Sequence, residues 1–337
     1  MSSQPTHTPD VSQPLISARD IVKQYDQGRR TWWSRREPGR PALNGVSISV
    51  AQGECLAVIG ESGSGKSTAG RALLRLIEPT AGAVIYRGTD ITTLRGERLR
   101  ATRKHLQMMF QDPYAALNPR MTVGEAITEP LLTHKMATPR EAAERACQIL
   151  EDVGLSAEYY YRYPHEFSGG QKQRISMARS LAVSPEILVA DEPVSALDVS
   201  IQAQIINLFK DLQAEHGMAY LFIAHDLSVV RYLSDRIAVM YLGEIVELAT
   251  KEELFANPLH PYTQALISAI PIPDPTAKKD RIILDGDIPS PTAVPVGCRF
   301  STRCPGCKPE CTEEHPGLVD FGGHWVRCHT CSAEVAP

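Results

Sequence analysis

The stretch Gly60-Glu61-Ser62-Gly63-Ser64-Gly65-Lys66-Ser67-Thr68 lies between an apolar run, Leu56-Ala57-Val58-Ile59, and a helical pattern, Ala69-Gly70-Arg71-Ala72-Leu73-Leu74-Arg75-Leu76-Ile77. The order reads as strand, glycine-rich loop, helix. Glycines let the backbone double back so that successive N–H groups face one concavity, and the helix adds its positive end to that anion site. Lys66 can then reach the outer phosphates of a nucleotide, and the Ser67 hydroxyl can ligate Mg²⁺. The stretch predicts an α/β fold with a phosphate site at the end of a buried strand.

The chain of 337 residues has room for about two domains and a sizeable core. Its formal net charge of −4 argues against a protein that wraps nucleic acid, which needs a basic surface. No apolar run approaches the roughly 18 residues needed to cross a bilayer, and Met1 to Pro14 has no signal-peptide core. A soluble, cytosolic chain is expected, with any membrane role exercised through a partner. Residues 1–14, rich in Ser, Pro, Thr and Gln, are expected to be disordered.

Working outward, Leu15 to Tyr25 and Val46-Ser47-Ile48-Ser49-Val50 read as short strands, the second alternating as in an antiparallel sheet with one wet face. Between them Arg29 to Arg36 form a basic loop around Trp32 and Trp33, which reads as a solvated insertion or a contact for anionic lipid or a partner. Tyr25, at a strand end, is an aromatic that could stack on a purine or simply pack. After the phosphate loop, Val84-Ile85-Tyr86 suggests a further strand. The run His105 to Met109 would deliver Gln111 to the active-site edge. Thr122 to about Leu155 is helical, with Thr138-Pro139 as a cap and Ala142, Ala146, Ile149, Leu150 and Val153 at helical spacing.

The second half carries another constellation. Ser168-Gly169-Gly170-Gln171 opens a helix, either as a plain cap or as a second anion cradle. The buried-strand run Ile187-Leu188-Val189-Ala190 ends in Asp191-Glu192, adjacent carboxylates that point in opposite directions. Asp191 can reach a Mg²⁺ shell, and Glu192 can hold and deprotonate an attacking water. A third buried run, Tyr220 to Ala224, ends in His225. Three strands delivering polar groups to their C-terminal ends make the layout of an α/β nucleotide site.

In order, Gly60 to Thr68, Gln111, Ser168-Gly169-Gly170-Gln171, Asp191-Glu192, Ser195-Ala196-Leu197-Asp198 and His225 resemble the ATP-binding cassette of ABC transporters. The resemblance implies a P-loop NTPase cassette over residues 15–255: a RecA-like core, an antiparallel β subdomain and a helical subdomain at about 112–180. It also implies a head-to-tail pair of cassettes, each ATP held by one subunit's phosphate loop and the other's Ser168 to Gln171 motif. By that resemblance Tyr25 stacks on adenine, Gln111 senses Mg²⁺ and the permease, and Glu192 is the catalytic base. Asp198 would reach across the dimer and His225 contact the γ-phosphate. Phe167 stands where leucine is commonest, keeping an apolar anchor.

A narrower likeness extends over nearly the whole chain. Asn257 to Leu266, Pro289-Ser290-Pro291 and Gly297-Cys298-Arg299-Phe300 resemble the C-terminal extension, here 256–337, of dipeptide and oligopeptide importer ATPases, most of all the F-type dipeptide ATPase. This implies a heterodimer with a second ATPase beneath two membrane permeases on the cytoplasmic face of the inner membrane, fed by an extracytoplasmic binding protein. Importers for nickel, metallophores or glutathione are related alternatives. A soluble ABC ATPase acting on DNA or ribosomes is disfavoured by the single cassette and the acidic balance.

The cysteines allow two readings. Cys304-x-x-Cys307 and Cys328-x-x-Cys331 have zinc-ribbon spacing. The resemblance points instead to Cys298, Cys304, Cys311 and Cys328 as ligands of a [4Fe–4S] cluster. Either would staple a small cysteine-rich extension to the cassette.

Overall fold

The computed structural model describes residues 14–25, 41–195, 197–271, 281–287, 289 and 294–331. The terminal segment 1–13, the loop bearing Trp32 and Trp33, Ala196, and Ser290 and Pro291 lie outside the described residues. The chain divides into two compact units, one drawn mainly from residues 49–55 and 86–223, the other from 17–48, 56–85 and 224–337.

In the first unit three parallel strands run side by side, with Ile187–Asp191 between Leu106–Met109 and Ala219–Ile223. Every residue of the Ile187 and Ala219 strands is buried, so these strands read as continuous apolar runs without alternation. Phe209, from the helix Val199–His216, sets its edge against Tyr220 and Phe222 at 5.4 and 5.5 Å between centroids.

The helical stretch expected from Thr122 to about Leu155 is two helices, Val123–Thr133 and Pro139–Asp152. The first ends at His134, and Lys135 takes a left-handed φ of 54° that no helix can continue. Both helices begin with a reciprocal capping box, Thr122 with Glu125 and Thr138 with Glu141. The Thr138 amide donates to the Glu141 carboxylate at 2.8 Å and holds it below the usual carboxylate range. Thr138→Ala removes one side of this box. It is expected to cost about 1 kcal/mol, read as a lower denaturant midpoint.

In the second unit the strand Ile16–Gln24 lies between Pro41–Val50 and Ala81–Tyr86. Val46, Ile48 and Val50 are buried and Ser47 is exposed, as the alternation requires. The strand Cys55–Ile59 leads into the phosphate loop, with Leu56–Ile59 parallel to Arg236–Val239. A tight turn with positive φ at Leu242 and Gly243 joins Arg236–Tyr241 to the antiparallel strand Glu244–Thr250.

The end of the chain builds onto that hairpin. Trp325–Val326 pairs antiparallel with Leu248 and Glu247, and Val319–Asp320 pairs with Trp325–Val326. Two buried carboxylates fasten these later residues. Glu244 accepts from Asn44 at 2.6 Å and meets Arg299 at 2.9 Å and His315 at 2.8 Å. Glu247, fully buried, accepts the amides of Leu259 and His260 and lies 2.7 Å from His324 Nε2. Carboxylates this deep are tolerated because both oxygens of each find a donor or a cation.

Candidate functional site

In the second unit the sequence Gly60 to Thr68 forms the loop between the Cys55–Ile59 strand and the helix Lys66–Leu73. Gly60, Gly63 and Gly65 have φ of 148°, 79° and 103°, conformations that side-chain-bearing residues rarely adopt. A Cβ on Gly60 would stand 2.1 Å from the Met240 carbonyl oxygen, and one on Gly65 2.7 Å from that of Ala42. The backbone packs too closely there for any other residue.

The helix starts at Gly65, a glycine in the left-handed region at φ 103° that gives it no side-chain cap, and a helix N-terminus is a favourable place for an anion. Lys66 is buried, and its Nζ donates to the carbonyls of Gly60 and Glu61 at 2.7 and 2.9 Å, arching over the loop. Ser64 Oγ is buried with no hydrogen-bond partner among the described residues. An orphaned hydroxyl, a helix N-terminus and a buried ammonium together suit a polyphosphate, and Ser67 beside them suits its Mg²⁺. Of the other expected contacts in this unit, Tyr25 is 48% exposed with Lys23 Nζ 5.2 Å from its ring centroid. A half-open ring of that kind can still take a base on one face. His225 is exposed at the end of the run after Ile223, just before Asp226 caps the next helix.

The first unit gathers the other expected residues. Asp191 ends its strand buried at 2% exposure, whereas Glu192 is half-buried with a left-handed φ of 48°. The left-handed φ turns the chain just after the strand ends. Gln111 Nε2 donates to Glu192 Oε2 at 2.9 Å, while the amide and hydroxyl of Ser195 donate to the Glu192 carbonyl. Ser168 caps the helix Gly169–Leu181 reciprocally with Gln171. A Cβ on Gly170 would meet Ile201 at 2.5 Å, which explains a glycine there by close packing. Gln173 Nε2 donates to the Pro193 carbonyl at 2.6 Å and ties this helix to the segment after Glu192. A cavity of about 320 Å³ opens between Gln111, Gly169, Gln173, Pro193 and Ser195. Asp198 is exposed at the start of Val199–His216, and its carboxylate does not cap that helix. Phe167 is buried edge-on to Tyr159 at 5.1 Å, serving as the apolar anchor.

The cysteine expectation is corrected. Among the described residues no three His, Cys, Asp or Glu side chains converge to hold one metal ion, so neither a [4Fe–4S] cluster nor Zn²⁺ at Cys298, Cys304, Cys311 and Cys328 finds support. The four thiols do share a neighbourhood. Burial pushes the Cys298 thiol up to about 11, and Cys328, Cys311 and Cys304 add to the shift. Their hydrogen bonds go elsewhere, however: Cys331 Sγ donates to the Leu259 carbonyl at 3.4 Å, Cys307 Sγ donates to that of Lys308 at 3.6 Å, and Cys328 Sγ lies 3.0 Å from the Thr330 hydroxyl.

Sequence reasoning passed over two contacts of the phosphate loop. The Glu61 amide donates to the Tyr262 hydroxyl at 2.8 Å, and Arg303 grips the Glu61 carboxylate at 2.7 and 3.0 Å. Tyr262 lay inside a recognised motif, but nothing in the sequence linked that motif to the loop. An arginine before a cysteine carries no signal at all.

Comparison with known proteins gives two family matches, ABC transporter over residues 43–195 and the oligopeptide/dipeptide transporter C-terminal region over residues 246–311. The chain is 52% identical over 322 residues to the oligopeptide transport ATP-binding protein AppF of Bacillus subtilis, covering 94% of this chain and 98% of that one. It is 50% identical to a putative peptide import ATP-binding protein of Brucella ovis, over 94% of this chain and 97% of the relative. Among solved structures it is similar to the dimeric ATP-binding cassette MJ0796 bound to ADP and Pi. That likeness has a TM-score of 0.62 and 30% identity, over 70% of this chain and 98% of that one.

Proposed function

Since this chain belongs to the ABC transporter ATP-binding subunits of the oligopeptide and dipeptide class, we propose that its ATP hydrolysis drives the uptake of di- or oligopeptides through partner permeases. The observation that carries the reading is the extension: the match at residues 246–311 joins a peptide-importer C-terminal region to a cassette with an intact phosphate loop. The proposed boundaries are 15–255 for the cassette, about 112–180 for its helical part and 256–337 for the extension. None of the described helices is long and apolar enough to cross a membrane. Membrane contact is therefore assigned to two permeases, on the cytoplasmic face, with an extracytoplasmic binding protein supplying the cargo.

In the proposed mechanism the loop amides and Lys66 bind the β- and γ-phosphates, Tyr25 takes the adenine, and Glu192 positions and deprotonates the attacking water. Gln111 holds the Glu192 carboxylate in one orientation until nucleotide arrives, and His225 donates to the γ-phosphoryl oxygens. Ser67, Gln111 and Asp191 would hold Mg²⁺, whose charge offsets that of the transferring phosphoryl group. The exposed end of the Gly169–Leu181 helix and Asp198 serve the ATP of a facing subunit, which we take to be a second, different ATPase. Nothing is routed through the cysteines.

The test is reconstitution with the two permeases and the binding protein in vesicles. ATP-dependent accumulation of labelled dipeptide or oligopeptide is the expected result. Accumulation of a nickel chelate or glutathione in its place would reassign the cargo. Failure of the chain to associate with any second cassette, given ATP and Glu192→Gln, would overturn the transporter reading itself.

A further inference from the structure

Glu61 is an anomaly: a carboxylate inside a loop built to collect anions. Three groups hold it. Its amide goes to the hydroxyl of the fully buried Tyr262, its carbonyl accepts from Lys66 Nζ at 2.9 Å, and its carboxylate takes both terminal nitrogens of Arg303 at 2.7 and 3.0 Å. The Arg303 side chain is 8% exposed and that of Glu61 27%, so water screens the pair only in part.

Arg303 is itself held. Its guanidinium carbon lies 6.0 Å from the Tyr241 ring centroid and Nη1 lies 3.5 Å from the Tyr241 hydroxyl. Tyr241 packs against Tyr262 and Phe300 at 4.9 and 5.3 Å, and its strand forms the hairpin to which the extension is fastened by Glu244 and Glu247. Both groups that grip Glu61 from outside the loop, Tyr262 and Arg303, come from the extension.

We propose that Arg303 and Tyr262 are positioning residues for ATP binding: they fix the first turn of the phosphate loop and neutralise the Glu61 carboxylate at its rim. This rests on the reading of Gly60 to Thr68 as the ATP site. An unpaired carboxylate there repels the polyphosphate, since like charges at the edge of a low-dielectric site attenuate weakly with distance. A bidentate guanidinium both cancels the charge and fixes its direction, which a lysine ammonium does less well. The extension, beyond any contact it makes with a partner, thereby becomes part of the nucleotide site.

The experiment is a double-substitution cycle on the full chain, with binding of Mg²⁺-ATP measured at low and high salt. Arg303→Ala is expected to weaken binding about tenfold at low salt, and less at high salt as the repulsion is screened. With Glu61→Gln already present, the same Arg303→Ala change is expected to weaken binding less than twofold, because no charge remains to neutralise. An equal loss with and without Glu61→Gln would make Arg303 a structural residue only and overturn the proposal, as would no loss in either. Thermal unfolding accompanies each variant. If Arg303→Ala does not fold, Arg303→Lys replaces it, with a smaller loss that must again vanish with Glu61→Gln. Tyr262→Phe keeps the aromatic packing and removes the acceptor of the Glu61 amide; it is expected to weaken binding a few-fold, and no loss removes Tyr262 from the proposal. Lys66→Ala tests the underlying reading separately: unchanged ATP binding in that variant would refute the site, not the clamp.

Discussion

Replacing Glu192 with glutamine is expected to leave ATP binding in place and to stop turnover. The substitution preserves volume and can still meet Gln111, whose Nε2 lies 2.9 Å from Glu192 Oε2, but the amide cannot accept a proton from water. General-base assistance contributes roughly 10²- to 10⁴-fold to rate, and a loss at the upper end is expected because no other carboxylate is proposed for that task. Asp191, next in the chain, is buried at 2% exposure and is assigned to Mg²⁺. The backbone itself argues for a special duty at Glu192. A φ of 48° at a residue with a side chain is held only where the surroundings impose it. Here the Glu192 amide donates to the Ile223 carbonyl at 3.0 Å and the Glu192 carbonyl accepts from Ser195. Phosphate release measured beside nucleotide binding checks the expectation. Hydrolysis at the unsubstituted rate would remove Glu192 as the base.

What the sequence made legible, and what it did not, follows the range of the forces involved. The phosphate loop, the Thr138 cap and the buried runs at Ile187 and Tyr220 were readable because neighbours within a few residues determine them. The alternation of Val46, Ile48 and Val50 marked a strand correctly, yet that strand begins at Pro41. Gly45, at a φ of 67°, lies inside that strand, whose pairing with Ile16–Gln24 accommodates it.

The reversal at Glu192 was hidden, since a left-handed glutamate follows from the tertiary bonds around it and not from its type. The Glu61–Arg303 pair spans 242 positions, and no periodicity bridges such a gap. Cysteine spacing misled for a different reason. Cys328-x-x-Cys331 brings two sulfurs together whether or not an ion lies between them, and here Cys331 Sγ donates to the Leu259 carbonyl at 3.4 Å while Cys328 meets the Thr330 hydroxyl at 3.0 Å.

Gly60→Ala is expected to damage both fold and site, and a neighbouring glycine supplies the control. Alanine at 60 meets the Met240 carbonyl oxygen at 2.1 Å and Ser64 Oγ at 3.0 Å. The serine hydroxyl can rotate away, but the carbonyl cannot retreat. Met240 pairs with Ile245 on one side, while its neighbours Ala238 and Val239 pair with Val58 and Ile59 on the other. The loop must therefore shift, and with it the amides that face the phosphates. Strain at a positive φ costs about 1–3 kcal/mol and overpacking a similar amount, so a loss of roughly 3 kcal/mol in stability is expected. If a like amount falls on the bound state, nucleotide affinity drops about a hundredfold. Gly63→Ala carries the same kind of backbone penalty, at a φ of 79°, but its Cβ would enter space with nothing within 4 Å. About 1–2 kcal/mol is expected there, with much of the affinity retained. Denaturant midpoints and ATP binding of the two variants, measured side by side, separate close contact from backbone strain. Equal behaviour of the pair would mean that Gly60 is set by its dihedral alone and that the Met240 carbonyl plays no part in placing the loop.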